Sequence, residues 1–159
     1  MSTSVEIIYG TRDPWAPSAR RLTEWAVAAA GRHAGGVAIA IRIVTTAESR
    51  TLNRQYRGFD RPTNVLSFPI SAEAAATEAH VGERPLGDLA ICARVVAREA
   101  SDQKKTLAAH WAHMVVHGTL HLLGYDHEQD ADALLMEKRE KVLLKRLGFK
   151  NPYQVMQHD

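Results

Sequence analysis

His117, His121 and His127 stand at spacings that allow three imidazoles to converge on one metal ion. His117 and His121, four apart, stack on one face of a helix, and Gly124 can take the left-handed backbone that ends a helix and swings His127 back over the pair. Three neutral imidazoles, with no fourth protein ligand demanded by the local spacing, are the layout of a catalytic zinc site that keeps a position open for water. A closed structural site would ordinarily use thiolates, and Cys92 is the only cysteine. One zinc per chain is the expectation.

His110, His113, His117 and His121 fall within about 80° of arc on such a helix, beside an apolar stripe of Leu107, Trp111, Met114, Val115 and Leu122. The first and last are roughly 16 Å apart along the axis, so one ion cannot take all four. Neighbours one turn apart can share it, either His113 with His117 or His117 with His121. The glycine turn and His127 favour the second pair, which leaves His113 to support a ligand by hydrogen bonding. The order His-x3-His-x2-Gly-x2-His is also the ligand spacing of metzincin peptidases, which place a glutamate general base directly after the first histidine. Gly118 occupies that position, so the spacing speaks for similar metal geometry and against peptidase chemistry.

A second group is cationic. Arg50, Arg54 and Arg57 recur at i, i+4 and i+7, and Arg61 follows just past Gly58. For Arg50 and Arg54 a solvated charged face competes with binding of an anionic group. Arg57 differs, because it ends its helix beside the turn-rich Gly58–Asn64, which can hold a planar guanidinium over a cleft where it suits phosphate oxygens.

These groups need a frame. The 159 residues, 45% hydrophobic, fit one domain spanning residues 1–159; the single cysteine excludes an internal disulfide, and Cys92, read as a small buried hydrophobe, gives no expectation of a disulfide-linked partner. Met1–Gly10 lacks a secretory signal and no apolar run approaches the roughly 18 residues of a membrane span, so a cytoplasmic protein without a membrane partner is predicted. A net charge of +2 with a pI near 8.8 does not by itself point to nucleic acid.

Val5–Tyr9 reads as a strand, and Pro14 and Pro17 introduce a helix carrying Leu22, Trp25, Ala26 and Ala29 inward. Val37–Val44 reads as a central strand buried on both faces. Thr45 and Glu48 form a capping box for a helix that turns Leu52 and Tyr56 inward and stops near Gly58. Val65–Ile70, with Pro69, is an edge or bulged strand; Ser71–Pro85 is a loop or lid; Leu86–Cys92 is a fourth strand. Asp88 stands among apolar neighbours and needs a partner, either a ligand histidine or a backbone or arginine contact. Ala93–Ala100 is a helix, Gln103–Leu122 the histidine helix and Asp130–Leu147 an amphipathic helix with a solvated basic face, after which the tail from Lys150 is frayed. The fold class is α+β: a small four-stranded mixed sheet, about five to six helices, and the histidine helix packed across the sheet.

Two segments resemble the YbeY family of bacterial endoribonucleases and ribosomal-RNA maturation factors: Asn53-Arg-Gln-Tyr-Arg57-Gly-Phe-Asp-Arg-Pro-Thr-Asn-Val-Leu-Ser-Phe-Pro69 and His113-Met-Val-Val-His117-Gly-Thr-Leu-His121-Leu-Leu-Gly-Tyr-Asp-His127. Their separation, the intervening Leu86–Ile91 and the overall length are similar too. The resemblance assigns the zinc ligands to His117, His121 and His127 and a functional arginine to Arg57, while Phe59 replaces the lysine often found before the turn aspartate. It implies single-strand-specific, metal-dependent cleavage in maturation of the small-subunit ribosomal RNA 3′ end, ribosome quality control, and the small ribosomal subunit as a partner. Zinc-activated water or the ribose 2′-OH is the nucleophile, Arg57 offsets the growing charge on phosphorus, and Asp126, His113 and an RNA-bound water stand as candidate general acids. Two other classes remain open: a metallopeptidase-like zinc hydrolase, and a non-catalytic ribosome-assembly factor with a structural metal.

Overall fold

The computed structural model describes residues 3–33, 35–71, 83–126 and 128–153. Four strands, β1 (Thr3–Tyr9), β2 (Val37–Val44), β3 (Val65–Pro69) and β4 (Arg84–Cys92), form one sheet in the order β1-β2-β4-β3. The first three in that order run parallel, and β3 runs antiparallel on the outer edge of β4. Five helices accompany it among the described residues: α1 (Ala19–Ala30), α2 (Thr46–Arg57), α3 (Ala93–Asp102), α4 (Leu107–Leu122) and α5 (Asp130–Arg146). This is the α+β architecture expected, and Pro69 lies on an edge strand, where its missing N–H costs no ladder bond.

The core explains the order. Ile39, Ile41 and Ile43 of β2 and Leu89 and Ile91 of β4 meet Leu22, Trp25 and Ala26 of α1 and Trp111, Val115 and Leu120 of α4 in one buried cluster. A smaller cluster of Val44, Leu66, Ala90, Cys92 and Val95, joined by Leu52 and Phe68, lies apart from it. The expectation that β2 is buried on both faces needs correction: Val37, Ile39, Ile41 and Ile43 are buried, but Ala38 and Ala40 are half-buried and Arg42 is exposed. Their face is left partly open because the smaller cluster takes in only the Val44 end of the strand.

Helix α4 is held close to the sheet by Gly118. A Cβ there would sit 2.8 Å from Leu89 Cδ2 and 3.2 Å from Val65 Cγ2, and the Ser67 hydroxyl donates to the Gly118 carbonyl at 3.1 Å. The glycine that stands where a metzincin has its base is therefore a packing contact. The helix starts at Leu107 rather than Gln103, because Thr106 caps it by accepting from the Ala109 N–H at 3.1 Å, and Lys104 breaks the chain with φ 55°. At its other end Gly124 has φ 102°, and Tyr125 N–H donates to Leu120 O at 3.0 Å, the predicted reversal.

Helix α2 departs further from expectation. Tyr56 is 53% exposed rather than turned inward, and the buried positions are Ser49 and Asn53. These polar groups bind the turn that follows: Ser49 Oγ donates to Thr63 O at 3.0 Å, and Asn53 Nδ2 to Arg61 O at 2.8 Å. Thr45 caps the helix as predicted by accepting from Glu48 N–H at 3.1 Å, while the Glu48 carboxylate pairs with Arg42 at 3.3 Å. Strand β4 begins at Arg84, two residues earlier than expected, and residues 72–82 of the expected loop lie outside the described residues. No helix among the described residues is long and apolar enough to cross a membrane.

Candidate active site

The last turns of α4, the C-terminal end of α2 and strand β3 enclose a cleft of about 360 Å³ whose lining includes Tyr56, Arg57, Ser67, His117, His121 and Asp126. Helical spacing stacks His117 on His121, with ring centroids 4.7 Å apart and Nε2 atoms 3.2 Å apart. Two nitrogens on one tetrahedral zinc, each about 2.05 Å from the ion, stand about 3.3 Å apart. The pair therefore has the separation of two metal ligands. His127, the third predicted ligand, lies outside the described residues, as does His158.

What fixes His117 is a carboxylate not foreseen in the sequence. Glu140 of α5 is fully buried, and its Oε1 lies 2.7 Å from His117 Nδ1 and 3.3 Å from His113 Nε2, while Tyr153 Oη donates to its Oε2 at 2.5 Å. Burial pushes the Glu140 carboxyl up, but hydrogen bonds from His113 and His117 and the charges of those rings outweigh it and lower its pKa to about 2. An ionised carboxylate only accepts, so His117 Nδ1 donates in the 2.7 Å bond, and Nε2 is the nitrogen that faces His121. Burial lowers the His113 pKa more than Glu140 raises it, so His113 is neutral near pH 7 and its Nε2–H points at Glu140 and Tyr153.

His113, His117 and Glu140 also present three ligand atoms within 4.8 Å of one another, a group that could hold a metal ion. Glu140 meets His117 at Nδ1, whereas His121 meets it at Nε2. The 2.7 Å separation of Glu140 and Nδ1 is that of a charge-assisted hydrogen bond and is shorter than the spacing of two ligands on one ion. The geometry favours Glu140 as the partner that orients His117, the role sequence reasoning gave to His113 or Asp88.

Asp88 is exposed on β4. Asp126 lines the cleft, and its Oδ1 accepts from Glu128 N–H at 3.2 Å. His110, the far end of the histidine stripe, is 2% exposed and bonded to Glu99 Oε1 at 2.9 Å, away from the cleft.

The four arginines separate. Arg57 lines the cleft and is exposed, positioned by Gly58, whose φ of 80° ends α2 with its N–H on Arg54 O at 3.0 Å. Arg50 is instead forked onto Asp60 at 2.8 and 2.9 Å, closing the turn. Arg61 lies over the Phe59 ring with its guanidinium 5.1 Å from the centroid, and Arg54 is exposed on the outer face of α2.

Sequence reasoning missed Glu140 and Tyr153. Met136, Glu140, Leu143 and Leu144 share the buried face of α5, so a carboxylate at an otherwise apolar i+4 position was the available signal. Nothing comparable marked Tyr153 in a tail expected to fray.

An imidazole pair preset by a buried carboxylate, opposite an arginine in an open cleft of an α+β domain, defines a hydrolase-type centre suited to an anionic substrate. The family model described as Endoribonuclease YbeY matches residues 13–148. The chain is 52% identical over 145 residues to the Endoribonuclease YbeY of Halorhodospira halophila, covering 87% of this chain and 89% of the relative. It is 50% identical over 158 residues to that of Alcanivorax borkumensis, covering 98% and 89%. The solution structure of TM1509 from Thermotoga maritima superposes with a TM-score of 0.56 at 25% identity, covering 95% of this chain and 99% of that one. The chain belongs to the YbeY endoribonuclease family and is an endoribonuclease, an enzyme that acts on RNA.

Proposed function

We propose that the chain is a single-strand-specific, zinc-dependent endoribonuclease of the cytoplasm, folded as one domain, with one zinc held by His117, His121 and His127. The observation that carries the reading is the 3.2 Å separation of the His117 and His121 Nε2 atoms in the cleft that Arg57 also lines. In such a site a bound zinc supplies a Lewis acid and lowers the pKa of coordinated water to about 7.

The chain's own residues do the rest. Arg57 presents its fork to the phosphate and offsets the negative charge that grows on the non-bridging oxygens, whichever of water and ribose 2′-OH attacks. Asp126 lines the cleft and can exchange a proton with the reacting oxygens, whereas His113 is 7% exposed and turned to Glu140, which favours Asp126 or an RNA-bound water as the general acid. Arg54 and Arg61 would track the flanking backbone. Arg50 contributes through the turn it closes with Asp60. Ribosomal RNA as the substrate, its small-subunit 3′ end as the cut, the small ribosomal subunit as partner and a part in ribosome quality control rest on the likeness of the two motif segments to the family.

The test is cleavage of labelled single-stranded RNA, the same sequence as a duplex, and unfolded casein, each with and without chelator. Chelator-sensitive cutting of the single strand alone is expected. Casein cleavage with intact RNA would reassign the site to a peptidase. No turnover, together with unfolding by chelator, would make the metal structural.

A further inference from the structure

Building on the zinc reading above, we propose that Tyr153 and Glu140 form a clamp that positions His117, holding its ring with Nε2 toward His121. Glu140 reaches His117 from a different helix, and its two imidazole contacts, His117 Nδ1 at 2.7 Å and His113 Nε2 at 3.3 Å, both fall on Oε1, so neither fixes the second oxygen about a terminal torsion that is broad. The second oxygen is what Tyr153 secures. Its hydroxyl donates to Glu140 Oε2 at 2.5 Å, which leaves Oε1 to face His117 Nδ1 at 2.7 Å.

The segment that delivers Tyr153 is itself anchored. Phe149 packs edge-on against Trp25 of α1 with centroids 6.1 Å apart, and Asn151 Oδ1 accepts the Tyr153 N–H at 2.9 Å, closing a turn. The phenol ring then meets His113 edge-on at 5.3 Å. With the hydroxyl removed, Oε2 loses this donor, the carboxylate can swing, and His117 can carry its proton on Nε2 instead, the nitrogen that must be bare to bind an ion. The residue that completes the clamp thus comes from beyond α5, in a stretch whose sequence carries little pattern.

Tyr153→Phe tests this with the ring retained against His113. In the ¹⁵N-labelled, metal-free full chain, long-range ring couplings report which nitrogen of His117 is protonated, and competitive titration with zinc reports affinity. Wild type should show the Nδ1–H form. Tyr153→Phe should show a mixture and bind zinc about 10- to 100-fold more weakly, the usual loss when a ligand's partner is removed. Glu140→Gln, whose amide can either donate or accept, should give the same mixture, and it decides the matter if Tyr153→Phe does not fold. A single Nδ1–H form with wild-type zinc affinity in the folded variant overturns the clamp. His117→Ala separates the two readings: if it binds zinc like wild type, the metal assignment itself is wrong, and if it loses zinc while Tyr153→Phe does not, only the clamp is.

Discussion

A guanidinium can serve a substrate only if nothing in the protein has already engaged its donors. Arg50 and Arg57 belong to one arginine series and look equivalent in the chain, yet Arg50 is forked onto Asp60 and Arg57 faces the cleft. Removing a donor that meets developing charge typically costs about 3 kcal/mol, on the order of a hundredfold in rate. Arg57→Ala should lose about that much single-turnover cleavage at saturating RNA while keeping its metal and melting temperature, and Arg57→Lys should recover only part, lacking the fork. Near-normal cleavage by Arg57→Ala would demote it to a surface contact. At the histidines, His121→Ala should abolish zinc binding and His113→Ala should largely preserve it. The opposite result would move the ion to His113, His117 and Glu140, the other group able to take one. The imidazole and arginine types and spacings were readable because helical periodicity dictates which side chains share a face. The orienting carboxylate was not, because it arrives from a separate helix and only packing brings it to His117.

At the scale of elements, α4 carries the paired imidazoles and serves as a core helix at once, and Gly118 reconciles the two. Its neighbour Leu89 is fully buried between the sheet and α4, so it cannot rotate away from an added methyl 2.8 Å from its Cδ2. Gly118→Ala should cost about 1–3 kcal/mol in urea unfolding, as overpacked cores do, and should weaken zinc binding by tilting the helix that carries both imidazoles. An unchanged unfolding midpoint would show that the interface yields more easily than its packing suggests. The strands were legible from apolar runs, and the ends of α2 from Thr45 and Gly58, but the Ser18 and Thr106 caps of α1 and α4 were not read. The inward face of α2 was not. Leu52 does pack against the smaller cluster, but Tyr56 turns outward, and Ser49 and Asn53 are the buried positions because the helix serves to hold the turn beside Arg57. Hydrophobic pattern reports burial against apolar partners and is blind to burial against backbone carbonyls.

For the molecule as a whole, two carboxylates, Glu140 buried and Glu99 half-buried, set how the metal-free fold responds to acid. Glu99, hydrogen-bonded by His110 and Asn64, and Glu140, hydrogen-bonded by His113 and His117, are both held below the usual carboxylate range despite burial that pushes them up. A carboxyl depressed in the folded state favours folding at any pH above its unfolded value and loses that contribution as pH falls through the folded one. For Glu140 the window runs from about 4.5 down to about 2, and the contribution lost across it is on the order of 3 kcal/mol. The metal-free protein should therefore lose melting temperature steeply below about pH 4.5. Glu140→Gln, less stable near neutrality because it leaves two imidazoles without their anion, should show a shallower decline through the same range. If the two curves run parallel, Glu140 titrates normally in the folded state, and the buried hydrogen bond that orients His117 is weaker than its 2.7 Å geometry implies.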